Sequence, residues 1–186
     1  MSIIISAFPG IGKSKLYSEN KVNYSDSDSS KFSKKNFPDN YIKHIKRIRK
    51  KKDLIFVSSH ICVRDALVKE KIPFIYVIPS LDRKEEFLNN YKERGNTQEF
   101  IENVEVNWER WLQISVYNNE YPVYVCVQGY LKDNLEKIKE EYVKFYLLKP
   151  LQVPYGKTVQ DCISKSDNKI IKKYKGKDKG CEPEFE

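Results

Sequence analysis

Strand-like and helix-like patterns alternate along the chain and predict an α/β protein with a central, mostly parallel five-stranded sheet. Three observations carry this. First, four short runs, Ile3–Ser6, Leu54–Ser58, Phe74–Ile78 and Val123–Val127, are rich in Ile, Val, Phe and Tyr and lack a polar alternate face. Such runs suit strands covered on both sides. Second, the segments between them repeat apolar residues at helical spacing. Third, 40% of the 186 residues are hydrophobic, enough for an ordinary core and too many for wholesale disorder.

The elements follow in order. Ile3–Ser6 has no basic segment before it, and Gly10 interrupts the apolar stretch too early for a signal or membrane span, so it reads as a buried strand. A helix is expected over Lys13–Asn20, then a weaker fifth strand over Lys21–Tyr24. After Pro38, Tyr41, Ile42, Ile45 and Ile48 define a helix over Asp39–Lys51. Ile61–Glu70 is the next helix. In Arg83–Arg94, Phe87, Leu88 and Tyr91 share one side, and Gly95 is placed to stop the helix. Thr97 can cap Thr97–Tyr117, whose stripe of Phe100, Ile101, Val104, Trp108, Trp111, Leu112 and Ile114 assigns both tryptophans to core or lid packing, with base stacking as the lesser alternative. Leu135, Ile138, Tyr142 and Phe145 mark a last helix over Leu131–Tyr146. Residues 1–148 thus form one domain. The lysine-rich segment 149–186 reads as an extended, partly disordered basic tail.

The formal charge of +8 favours anionic partners, nucleotides or nucleic acid. Its excess sits largely in Lys46–Lys52 and Lys165–Lys179, so charge alone does not single out nucleic acid. Cys62, Cys126, Cys162 and Cys181 show no zinc-like or redox-like spacing, and reduced thiols in a cytoplasm are expected, with no membrane partner. Heavy use of Lys, Asn, Ile and Tyr fits an A/T-rich genome, as in low-GC bacteria and their phages.

The segment Ala7-Phe8-Pro9-Gly10-Ile11-Gly12-Lys13-Ser14 carries the most specific chemistry. Gly10 and Gly12 permit torsions that turn successive N–H groups toward a phosphate. A helix opening at Lys13 adds its positive end. Lys13 supplies a mobile charge for the β and γ phosphates, and Ser14 offers its hydroxyl to Mg²⁺. Pro9 through Lys15 therefore form a candidate ATP phosphate site directly after a buried strand, the context this loop requires. Ala7 stands where glycine is commoner.

After the weak strand come Asp26 and Asp28, spaced to point to one side if strand geometry persists. A carboxylate there can order Mg²⁺ or accept a proton from an attacking hydroxyl. This phosphate loop followed by Asp-x-Asp resembles the P-loop small-molecule and nucleotide kinases, including shikimate kinase-like, gluconate kinase-like and polynucleotide kinase-like enzymes. The resemblance covers about residues 1–146. It implies a three-layer P-loop sandwich with a helical lid over about residues 80–117, and one aspartate serving the metal while the other holds the acceptor or acts as base. Asp26 and Asp28 take these roles, with their division left open.

In such kinases lid arginines stabilise the transferring phosphoryl group. Arg83 and Arg94 bracket one helix, three turns apart on nearly the same face, and Arg94 beside Gly95 is the preferred contact. The third strand ends in Ser58-Ser59-His60 with no acidic residue, which disfavours a motor ATPase. His60 and Arg64 are acceptor-binding candidates. The expected function is transfer of the γ-phosphoryl of ATP to a nucleoside or nucleotide. A polynucleotide 5′-hydroxyl kinase using the basic segments is the second reading, and a nucleotide-binding regulatory protein with little turnover the third.

Overall fold

The computed structural model describes residues 2–116 and 120–148; the expected tail, with Cys162 and Cys181, lies outside the described residues. Five strands, β1 (Ile3–Ala7), β2 (Tyr24–Asp26), β3 (Leu54–Val57), β4 (Ile75–Pro79) and β5 (Val123–Cys126), form one sheet in the order β2-β3-β1-β4-β5. Every neighbouring pair is parallel. Parallel neighbours need crossover connections, and the helices supply them: α1 (Lys13–Glu19), α2 (Asp39–Ile48), α3 (Ile61–Lys69), α4 (Lys84–Glu93) and α5 (Gln98–Val116), with α6 (Leu135–Val143) closing the order.

Successive strand residues face opposite sides of a sheet. All of β3 and β4 is buried, so helices cover both faces. That is why these runs read as continuous apolar stretches. The core extends under α4 and α5, where Phe8, Phe87 and Trp108 meet at 5.3–6.2 Å between ring centroids. Trp108 is fully buried and donates its indole N–H to the Leu81 carbonyl at 2.9 Å. No helix among the described residues is long and apolar enough to cross a membrane.

The helix expected over Asp39–Lys51 ends at Ile48, and two element starts also differ from expectation. The second strand spans Tyr24–Asp26, three residues later than its composition suggested. Asn20 takes hydrogen bonds from the Asn23 N–H on its side chain and from the Tyr24 N–H on its carbonyl, so Lys21–Asn23 is spent on a turn. Asp26 consequently ends the strand, paired in register with Phe56. The last α-helix begins at Leu135, because Asp133 and Asn134 cap a preceding turn through the Tyr130 N–H and the Gln128 and Tyr130 carbonyls. A π-helical turn, Lys144–Leu148, follows it.

The sheet order creates a crevice. From β1 the chain moves outward to β2 and returns to β3, then crosses over β1 to β4. Where the direction reverses, the loops after β1 and β3 diverge, and ligands of open α/β sheets bind there.

Candidate phosphoryl-transfer site

The loop after β1 closes tightly on itself. Gly10 and Gly12 have φ of 77° and 104°, torsions costly for any residue with a Cβ. Gly12 precedes α1 as its N-cap and has no side chain to occupy the helix end. The loop is tied on three sides. Phe8 N–H donates to the Val77 carbonyl, Leu131 N–H to the Ile11 carbonyl at 3.0 Å, and the Tyr91 hydroxyl to the Pro9 carbonyl at 2.8 Å. A β-carbon on Gly10 would lie 2.7 Å from the Tyr91 ring, so that ring fits only against glycine. Ile11 is fully buried and anchors the loop from beneath.

Above the loop is a cavity of about 510 Å³. Pro9, Gly10, Lys13 and Ser14 form its floor, and the strand ends supply Asp26, Asp28, Ser58, Ser59 and His60. Lys13 folds back so that Nζ donates to the Ala7 carbonyl at 2.9 Å. Ser14 Oγ donates to Asp26 Oδ2 at 2.9 Å, placing a hydroxyl and a carboxylate side by side at the start of α1. These are hard oxygen donors of the kind Mg²⁺ takes. No group of three or more metal-ligating side chains occurs among the described residues, so a cation here would complete its shell with phosphate oxygens and water. The pair fits the oxygen-donor chemistry of Mg²⁺.

Asp28 sits differently. Its Oδ1 accepts the Ser30 N–H at 2.9 Å, capping the 3₁₀ turn Ser29–Lys31, and its Oδ2 lies 3.7 Å from Lys31 Nζ. Both aspartates line the cavity, but only Asp26 reaches the Ser14 hydroxyl. Ser27, between them, is gripped by α2. Tyr41 donates its hydroxyl to the Ser27 carbonyl, and His44 Nε2 stands 3.4 Å from Ser27 Oγ. Arg47 can only donate to His44 Nδ1, 3.3 Å away, which assigns the imidazole proton to Nε2 and the acceptor role to Ser27. Burial, and secondarily the Arg47 guanidinium, hold the His44 pKa below its usual value.

Of the remaining sequence candidates, Arg94 and His60 line the cavity. Arg83, Arg64 and Lys15 are not among its lining residues. Arg83 lies in the turn before α4, at the opposite end of that helix from Arg94, about 16 Å along its axis. Sharing a face did not bring the two to one place. Arg83 instead forms a two-bonded ion pair with Glu86 at 2.7 and 2.8 Å and donates to the Cys126 and Gly129 carbonyls. The pair holds the Glu86 carboxyl below its ordinary range. Arg64 is buried, its guanidinium 4.0 Å over the Tyr76 ring, and Lys15 is exposed on α1.

Sequence reasoning missed several lining residues, Lys31, Tyr91, Asn96 and Phe100, and gave Trp111, which also lines the cavity, a base-stacking role only as the lesser alternative. Tyr91 had a signal, one turn before Arg94 on the same helix, but its apolar spacing placed it in the core. Trp111 follows Trp108 by three residues, yet only Trp108 is fully buried. No protein family, curated protein or solved structure matches the chain.

Proposed function

We propose that this protein is a kinase that transfers the γ-phosphoryl group of ATP to a small acceptor, a nucleoside or nucleotide, with Mg²⁺. The observation that carries the reading is the Ser14–Asp26 contact at the mouth of a glycine loop that also presents Lys13. Ser14 and Asp26 would hold Mg²⁺, which when bound would supply positive charge to offset the negative charge of the nucleotide's phosphates. Lys13 exchanges its bond to the Ala7 carbonyl for the β and γ phosphates. Arg94, exposed at the end of α4, answers the charge spread over the moving group. Asp28, which lines the same cavity, accepts the hydroxyl proton, and His60 with Ser58 and Ser59 orients the acceptor.

The test is an acceptor screen with labelled ATP and Mg²⁺, run beside Lys13→Ala and Asp26→Asn. A free nucleoside or nucleotide should stimulate transfer, and each variant should lower turnover by at least ~100-fold. Tight ATP binding with every acceptor inert would refute the reading and favour a regulatory protein.

The polynucleotide reading has one observation in its favour. Lys31 lines the cavity, and the adjoining Lys34, Lys35, Lys43 and Arg47 are exposed. A 5′-hydroxyl oligonucleotide labelled in place of free nucleosides, with binding that weakens steeply in salt, would select it.

A further inference from the structure

The cavity wall is of two kinds. Strand ends contribute carboxylates, hydroxyls and an imidazole, whereas α4, α5 and the turn between them contribute Tyr91, Phe100 and Trp111 with Arg94 and Asn96. This aromatic part is braced by its own contacts. The Tyr91 hydroxyl is bound to Pro9, Phe100 meets Tyr91 edge-on at 5.0 Å, and Trp111 packs on Phe8 at 6.3 Å. Asn96 is fixed by its own N–H, which donates to the Tyr91 carbonyl at 3.0 Å. Its side-chain amide has no hydrogen-bond partner among the described residues.

A donor and an acceptor held in one plane beside aromatic rings match a planar heterocycle with hydrogen-bonding edges. An aliphatic hydroxy acid has no flat face to lay on the rings, and a bare sugar, though it can lie on a ring, presents no planar edge to the amide. Resting on the kinase reading, we propose that Trp111, Phe100 and Asn96 form the subsite for the acceptor's nucleobase, which stacks against Trp111 and presents its edge to Asn96. The acceptor is therefore a nucleoside or its phosphate, and Asn96 determines which base is preferred.

Tryptophan fluorescence tests this on the full chain. Trp108 is buried with its N–H satisfied, so quenching by a ligand in the cavity reports Trp111. Adenosine, guanosine, cytidine and thymidine are titrated with and without a saturating non-hydrolysable ATP analogue and Mg²⁺, with ribose as the base-free control. At least one nucleoside should quench in the presence of the analogue, and ribose should not. Trp111→Phe should abolish the signal while calorimetry still detects binding, and Trp111→Ala should weaken binding about tenfold. Asn96→Asp should change the order of preference among bases rather than weaken all equally.

The proposal is overturned if no nucleoside quenches, if the analogue displaces the quenching nucleoside, or if Trp111→Ala binds as tightly as the parent. Displacement would assign this wall to the base of ATP itself. Failure of the kinase reading registers separately, as analogue binding that Lys13→Ala leaves unchanged or as absence of transfer to any nucleoside that binds.

Discussion

Gly10→Ala tests the seating of the phosphate loop against α4. Gly10 has φ of 77°, where an L-residue is disfavoured by about 1–2 kcal/mol. The added methyl would also stand 2.7 Å from Tyr91 Cε1 and 3.1 Å from its hydroxyl oxygen. Tyr91 is 1% exposed and has no room to swing within the core, so the ring must lift and release the Pro9 carbonyl. That lost hydrogen bond adds roughly 1 kcal/mol. The total, about 2–3 kcal/mol, corresponds to a fall in melting temperature of roughly 4–12 °C. Gly95→Ala is the control: its φ of 73° carries the same backbone cost, but no atom lies within 4 Å of the added carbon. Urea unfolding followed by circular dichroism compares the two. Equal destabilisation would refute the claim that the Tyr91 ring, rather than the torsion alone, requires glycine at position 10.

Three further outcomes are expected. Arg83→Met should destabilise by about 2–4 kcal/mol in urea, since it leaves the Cys126 and Gly129 carbonyls unsatisfied, whereas Arg94→Met should change stability by under about 0.5 kcal/mol and abolish transfer. Because His44 is held below its unfolded value of 6.5, the unfolded chain takes up that proton first. Its contribution to stability is thus complete above about pH 6.5 and is lost as pH falls toward the folded value; His44→Gln should show a smaller drop in urea midpoint between pH 7.5 and 5.5. Burial raises the Cys126 thiol to about 11, so mapping of alkylated peptides at pH 8 should find Cys126 unmodified in the native protein and modified in urea.

The order of elements was legible because central parallel strands are apolar along their whole length and the intervening helices keep a regular period. The glycine loop after β1 was legible because Gly10, Gly12, Lys13 and Ser14 lie within one short stretch directly after an apolar run. What failed was reach. Arg83 and Arg94 repeat on one helical face, but periodicity says nothing about which end of a helix meets the crevice, and the two arginines part on that point. Arg64 is buried with its guanidinium over the Tyr76 ring and is not among the residues lining the cavity. Trp111 and Asn96 join the cavity only because α5 folds back along α4, a tertiary fact with no short-range signature. The start of β2 was misplaced for a local reason, the Asn20 side chain closing a turn that composition does not reveal.

The sheet order also dictates when this site can exist during synthesis. β1 leaves the ribosome first but occupies the middle of the sheet, with one partner at residues 54–57 and the other at 75–77. Until residues 54–57 emerge, the strand bearing the glycine loop has two open edges, and until residues 75–77 emerge it still has one. The loop's outer tie, to Leu131, arrives last of all. Nascent chains that end before residues 75–77 therefore expose at least one edge of the Ile-Ile-Ile segment while translation continues.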